Sequence, residues 1–192
     1  MRKVFLDCGS NQGQGLHSIY KSRGMDDTWD IVCFEIMEEV SSLLKEKPLY
    51  KNHPSIQLIN KAVWISEGKL ALTLDHEKGI DDFGGATNIL GDNWLQPDYI
   101  KHDIIKNARQ VDSIDFSKFL LENVSEEDHV VVKLDIEGAE YEVLDKLIKD
   151  NTINLINVLY VEWHNHLRVE KFNESYLRRE IESRGIELHY WH

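Results

Sequence analysis

Two short stretches, VVVKL at 130–134 and INVLYV at 156–161, are apolar at almost every position. A strand with one wet face alternates apolar and polar residues, so an unbroken apolar run signals burial on both faces. Such strands belong to a parallel sheet covered by helices above and below. The rest of the chain alternates strand-like and helix-like signals in the way that architecture needs. KVFLD at Lys3–Asp7 is followed by Leu16, Ile19 and Tyr20 at helical spacing, with Gly24 as a stop. DIVCFE at Asp30–Glu35 precedes a helix carrying Val40, Leu43 and Leu44 and ended by Pro48. Ile56–Trp64 reads as one strand, and Lys69–Leu74 as an added hairpin strand after the turn Ser66-Glu67-Gly68.

Further on, a strand is expected near Arg109–Ile114 and a helix near Asp115–Val124. The helix after VVVKLD places Ala139, Val143 and Leu147 on one stripe, with acids at its start and Lys146 and Lys149 near its end, as the helix dipole favours. A polar helix over 171–184 precedes the terminal strand IELHYW. The expected fold is a Rossmann-like, doubly wound α/β sheet, mostly parallel, with an added hairpin and a terminal strand. At 192 residues it fits a single domain, 1–192. Residues 75–108 stand apart, polar and glycine-bearing with weak periodicity. Gly84, Gly85, Thr87, Asn88, Trp94 and Tyr99 within them are where specificity for an acceptor would be built.

A net charge of −12 argues against nucleic acid or an anionic membrane as partner, since both are polyanions. No apolar run approaches the ~20 residues that cross a bilayer. MRKVFLDCG has no signal-peptide pattern, and Cys8 and Cys33 read as buried free thiols, which together set the expectation of a cytoplasmic protein.

In doubly wound sheets ligands sit beyond the carboxyl ends of the strands, so the polar residues that close strands matter most. LDCGSNQGQG closes the first with Asp7 and glycines at 9, 13 and 15. That spacing departs from the dinucleotide fingerprint and disfavours a nicotinamide-dependent oxidoreductase. An acid at Asp7 suits an amino group better than a phosphate. A glycine turn made for packing alone is the bland alternative. Glu35 closes the second strand, where a carboxylate can accept from both ribose hydroxyls; the alternative is an ordinary acid at a helix start. Asp135 ends the fourth strand, and Glu162 with His164 ends the fifth. Were those strands neighbours, about 4.8 Å apart, the three side chains would converge. Glu137 and Glu140 fit helix N-terminal charge, and His166 reads as a surface histidine.

Together these residues resemble the FkbM family of S-adenosylmethionine-dependent methyltransferases. DCGSNQG is similar to its first motif, with Ser10 for an alanine. VCFEI resembles its second strand, with Ile36 for a proline. NKAVWISEGKLAL, GGATNI, QVDSIDFSKFL, VKLDIEGAEYEVL, LYVEWH and RGIELHYW extend the likeness over nearly the whole chain. The resemblance implies a class I methyltransferase fold and S-adenosyl-L-methionine as cofactor. It implies Asp7, Gly9, Ser10, Asn11 and Gly13 around the methionine end, Glu35 on the ribose diol, and Ala62 or Val63 beside the adenine. Asp135 stands with both the cofactor group and the catalytic group. The family's usual reaction is O-methylation of a sugar, glycan or secondary-metabolite hydroxyl. A hydroxyl needs a base or a metal beside it. Asp135, Glu162 and His164 are therefore expected at the acceptor, with His164 or Asp135 as base; in a variant, Asp135 and Glu162 hold Mg²⁺. A non-catalytic module binding an adenosine ligand is the competing expectation.

Overall fold

The structure is a computed structural model that describes residues 1–74, 87–90, 109–164 and 173–192. Six strands form one sheet: β1 (Lys3–Cys8), β2 (Trp29–Phe34), β3 (Ile56–Ile59), β8 (His129–Leu134), β9 (Val158–Val161) and β10 (Glu187–Tyr190). Their order is β10-β9-β8-β1-β2-β3, and every pairing is parallel. Counted along the chain within this sheet, that is the 3-2-1-4-5-6 order of the Rossmann-like doubly wound fold. Strand order reverses at the β1–β8 pair, where such sheets open a crevice at their carboxyl ends.

Alternation along each buried strand sends successive side chains to opposite faces. Val130, Val132 and Leu134 of β8 join Val4, Leu6 and Leu159. They pack under α4 (Phe116–Asn123), α5 (Glu140–Lys149) and α6 (Glu174–Ser183), whose Phe116, Leu120, Tyr141, Leu144, Leu147, Leu177 and Ile181 complete that layer. On the other face Phe5, Ile31, Cys33 and Val131 meet Leu16 and Ile19 of α1 (Gln14–Ser22) and Leu44 of α2 (Glu38–Lys45). A short α3 (Pro48–Asn52) leads into β3. Lys133 shares the parity of Val131, so its side chain enters the α1 layer.

Two details differ from the sequence reading. The single strand expected over Ile56–Trp64 breaks at residues 60–61. β3 stays in the main sheet, while β4 (Ala62–Trp64) pairs with β7 (Arg109–Asp115) in a second sheet. Asn60 fixes the break, its Nδ2 donating to the Glu35 carbonyl at 3.0 Å and to Ser41 Oγ at 2.9 Å. The hairpin strand β5 (Gly68–Leu74) pairs antiparallel with β7 and also with a strand not expected from the weakly patterned segment, β6 (Thr87–Leu90). The second sheet runs β4-β7-β5-β6. Gly84, Gly85, Trp94, Tyr99 and His166 lie outside the described residues.

Candidate active site

The β1 turn is built on close backbone approach. Gly9 and Ser10 donate their N–H groups to the Phe34 carbonyl at 3.0 and 2.9 Å, tying the turn to the end of β2. Gly9 takes φ +79, and a Cβ there would lie 1.8 Å from the Asp135 carbonyl oxygen. Only glycine fits where the carboxyl ends of β1 and β8 draw together. Ser10 Oγ donates to the Asp7 carbonyl at 2.8 Å, Asn11 adopts φ 47, and Gly13 precedes α1.

Glu35 ties this turn to β2 from the other side. Its Oε2 accepts from the Asn11 N–H at 2.8 Å and its Oε1 from the Met37 N–H at 2.9 Å. Burial pushes its pKa up, against the pull of those two N–H groups. A carboxylate offers roughly four acceptor directions, so each oxygen still has one for a ligand. Ala62 packs near Ile36, Met37, Leu70 and Val111, just past the Glu35 turn, while Val63 joins the larger core layer.

Asp7 lies beneath the turn, fully buried, and among the described residues its two carboxylate oxygens accept no hydrogen bond. Lys133 faces it, 1% exposed. The Lys133 ammonium lies 3.5 Å from Asp7 Oδ1 and 3.0 Å from Asp135 Oδ2, and donates to the Gly9 carbonyl at 2.9 Å. Its stem fills the space that a Cβ on Gly15 would enter, and the ammonium lies 5.5 Å from the centre of the Trp191 ring. Burial alone would lower the lysine's pKa, but Asp7 and Asp135 more than offset it and hold it above its ordinary value. Asp7 is raised by burial, which Lys133 opposes. Sequence reasoning passed over Lys133. The signal was available, since a charge inside VVVKL must find a partner once both faces are covered.

Asp135, Glu162 and His164 do come together. Each offers one ligand atom, all within 4.8 Å of one another. β8 and β9 are neighbours, and the Glu162 N–H continues their pairing onto the Leu134 carbonyl at 2.9 Å. His164 Nε2 stands 3.6 Å from Glu162 Oε1, 4.0 Å from Asp135 Oδ1 and 3.4 Å from Glu137 Oε2. Its Nδ1 lies 2.9 Å from Glu140 Oε1. Glu140 is fully buried and accepts from the N–H groups of Ile136 and Gly138 at 2.7 and 2.9 Å. It therefore closes the turn before α5 and orients the imidazole, beyond the helix-start charge the sequence suggested. Its position, reaching back over a glycine-bearing turn, resembles the carboxylate half of a capping box. Glu137 stands at φ 55, an unfavourable conformation for a residue with a Cβ, and this brings its carboxylate to the ring.

Burial and the neighbouring Asp135 raise Glu162 to about 6. For His164, burial works against protonation, but the Glu140 hydrogen bond and the Glu137 and Glu162 charges overcome it and bring the ring to about 9. The rim of the sheet thus carries an acidic field with a protonated imidazole inside it at neutral pH.

With that geometry in hand, the family comparison is decisive. A family model described as the Methyltransferase FkbM domain matches residues 7–187. The match runs from Asp7 at the end of β1 to the first residue of β10. The chain belongs to this family and is a methyltransferase. A search of curated proteins returns no match.

Proposed function

We propose that the protein transfers the methyl group of S-adenosyl-L-methionine to a hydroxyl of a sugar, glycan or secondary metabolite. The observation that carries this reading is the gathering of strand-end residues at the β1–β8 crevice. The glycine turn and Glu35 lie on one side, and the Asp135–Glu162–His164 cluster on the other. The residues present fit the donor. Glu35 is a buried carboxylate held by two N–H groups with acceptor capacity left for a ribose diol, and the tight Gly9 turn lets backbone approach a ligand. Asp7, Ser10, Asn11 and Gly13 form and support that turn, and Ala62, just past the Glu35 turn, supplies apolar surface on the adenine side. When bound, the donor supplies a methyl group made electrophilic by its sulfonium.

The chain's own residues align and deprotonate the acceptor. Because His164 is held protonated in the cluster, proton acceptance falls to the carboxylates. Glu162 is ionised at neutral pH yet more basic than an ordinary carboxylate. As the acceptor's O–H proton passes to it, the oxygen forms a bond to the methyl carbon. The donor would leave as its neutral, demethylated thioether. Asp135, fixed by Lys133, orients the hydroxyl.

A non-catalytic adenosine-binding module would use the Glu35 side and have no need of the acid–histidine cluster. The negative charge of −12 favours a small-molecule or glycan acceptor over a nucleic acid. The free, buried Cys8 and Cys33 fit a reducing, cytoplasmic setting. No described helix is long and apolar enough to cross a membrane. Calorimetry tests the donor: S-adenosylmethionine or its demethylated product binds, and NAD does not. Mass spectrometry across a panel of sugars, nucleotide sugars and polyketides tests the acceptor through the added mass of one methylene. Tight NAD binding with no response to the methyl donor overturns the proposal.

A further inference from the structure

We infer that Asp135, Glu162 and His164 are the ligands of a divalent transition-type cation, of the Mn²⁺, Fe²⁺ or Zn²⁺ class. This deepens the methyl-transfer reading, on which it rests for the cation's purpose; whether the cation binds can be decided separately.

The distances suit chelation. Ligand atoms about 2.0–2.2 Å from one ion lie about 3–4.4 Å apart. Nε2 of His164 is 3.6 Å from Glu162 Oε1 and 4.0 Å from Asp135 Oδ1. The Glu162 side chain is one-third exposed, while the imidazole is 7% exposed and held at Nδ1 by Glu140.

The imidazole is what separates this site from a patch of surface acids. It is buried, and its Nδ1 is held by Glu140. Glu140 is itself immobilised by two backbone N–H groups. A cation entering on the opposite side displaces the proton from Nε2, and the carboxylate behind Nδ1 holds the remaining tautomer with Nε2 toward the acids, the support metal-ligating histidines commonly receive. That opposite side is where Asp135, Glu162 and Glu137 converge. Lys133 pairs with Asp135 through Oδ2, its ammonium divided among Asp7, Asp135 and the Gly9 carbonyl, whereas it is Oδ1 of Asp135 that faces the imidazole.

The donor set also selects the metal. Mg²⁺ prefers oxygen ligands and retains several waters, whereas an imidazole with two carboxylates suits Mn²⁺, Fe²⁺ or Zn²⁺. Three protein ligands leave coordination positions open, and an acceptor hydroxyl placed there is acidified, which eases the passage of its proton to a Glu162 oxygen.

The test uses the full, untagged chain stripped with a chelator and titrated with Mn²⁺ alone. Binding is followed by the loss of the free-ion paramagnetic resonance signal and by calorimetry. One ion per chain is expected, with affinity lowered about tenfold or more in His164→Ala and Glu162→Gln, and about tenfold in Glu140→Gln, which touches no ligand atom but weakens the support behind the ring. Melting curves and binding of S-adenosylhomocysteine establish that each variant is folded; Glu162→Gln, at a part-exposed position, keeps the test decisive if His164→Ala fails to fold. Absence of stoichiometric Mn²⁺ binding, unchanged affinity in the folded variants, or displacement of Mn²⁺ by equimolar Mg²⁺ overturns the inference. Donor binding without cation binding defeats this inference and leaves the methyl-transfer reading standing. Cation binding with no response to the donor does the reverse.

Discussion

At the scale of single residues, the site depends on groups that tolerate no substitution for different reasons. Gly9→Ala drives a methyl group into the Asp135 carbonyl, and a cost of roughly 3 kcal/mol or more is expected in denaturant unfolding, together with weakened donor binding. Lys133→Met leaves Asp7 buried and Asp135 without its cation. Breaking a buried pair this way costs about 3–5 kcal/mol. Adding Asp7→Asn removes the stranded charge, so the double variant should recover much of that loss by the same measurement. Glu35→Ala mainly weakens donor affinity in calorimetry, and Asp135→Ala mainly lowers turnover; equal, small effects from both would count against the roles assigned. Asp7, Glu35, Asp135, Glu162 and His164 stand out in the sequence because each ends an apolar run. Lys133 and Glu140 do not. One lies inside a strand, and the other hides among acids that a helix start would attract anyway, so their roles emerge only from what packs against them.

At the scale of elements, the apolar stripe of α5 stands as its spacing indicates, with Val143, Leu144 and Leu147 fully covered. Leu147→Ala should cost about 2–5 kcal/mol in denaturant unfolding, with the spread set by how far the layer can close around the cavity. The edge strand β10 carries a pH-sensitive link. Glu187 is held down to about 2 by hydrogen bonds from Arg23 and His189. Its ordinary value is 4.5, so its contribution to stability is complete above that pH and fades as pH falls toward 2. The group is half exposed, which keeps the effect small. Arg23→Gln should flatten this part of the acid dependence in melting curves taken between pH 5 and pH 2. The break between β3 and β4 was not legible. Ile56–Trp64 is continuous in pattern, and only the side chain of Asn60, bridging Glu35 and Ser41, turns the chain out of the main sheet. β6 was equally hidden, because among the described residues it stands as a strand through its pairing with β5.

At the scale of the whole molecule, the fold acts as a frame that brings distant strand ends to one rim. Ligands that bind only the native frame stabilise it by mass action. The donor at a hundred times its dissociation constant should add about 2.7 kcal/mol, visible as a rise of the melting temperature that Glu35→Ala diminishes. The chain's local chemistry determined a covered parallel sheet and which carboxylates close its strands, because burial on both faces is a demand each strand meets with its own residues. Which of those endings become neighbours was decided by strand order, with β8 seated between β1 and β9. So were the ammonium shared by Asp7 and Asp135 and the carboxylate set behind His164. These are contacts between residues far apart along the chain, and their energies exist only once the sheet has brought them within reach.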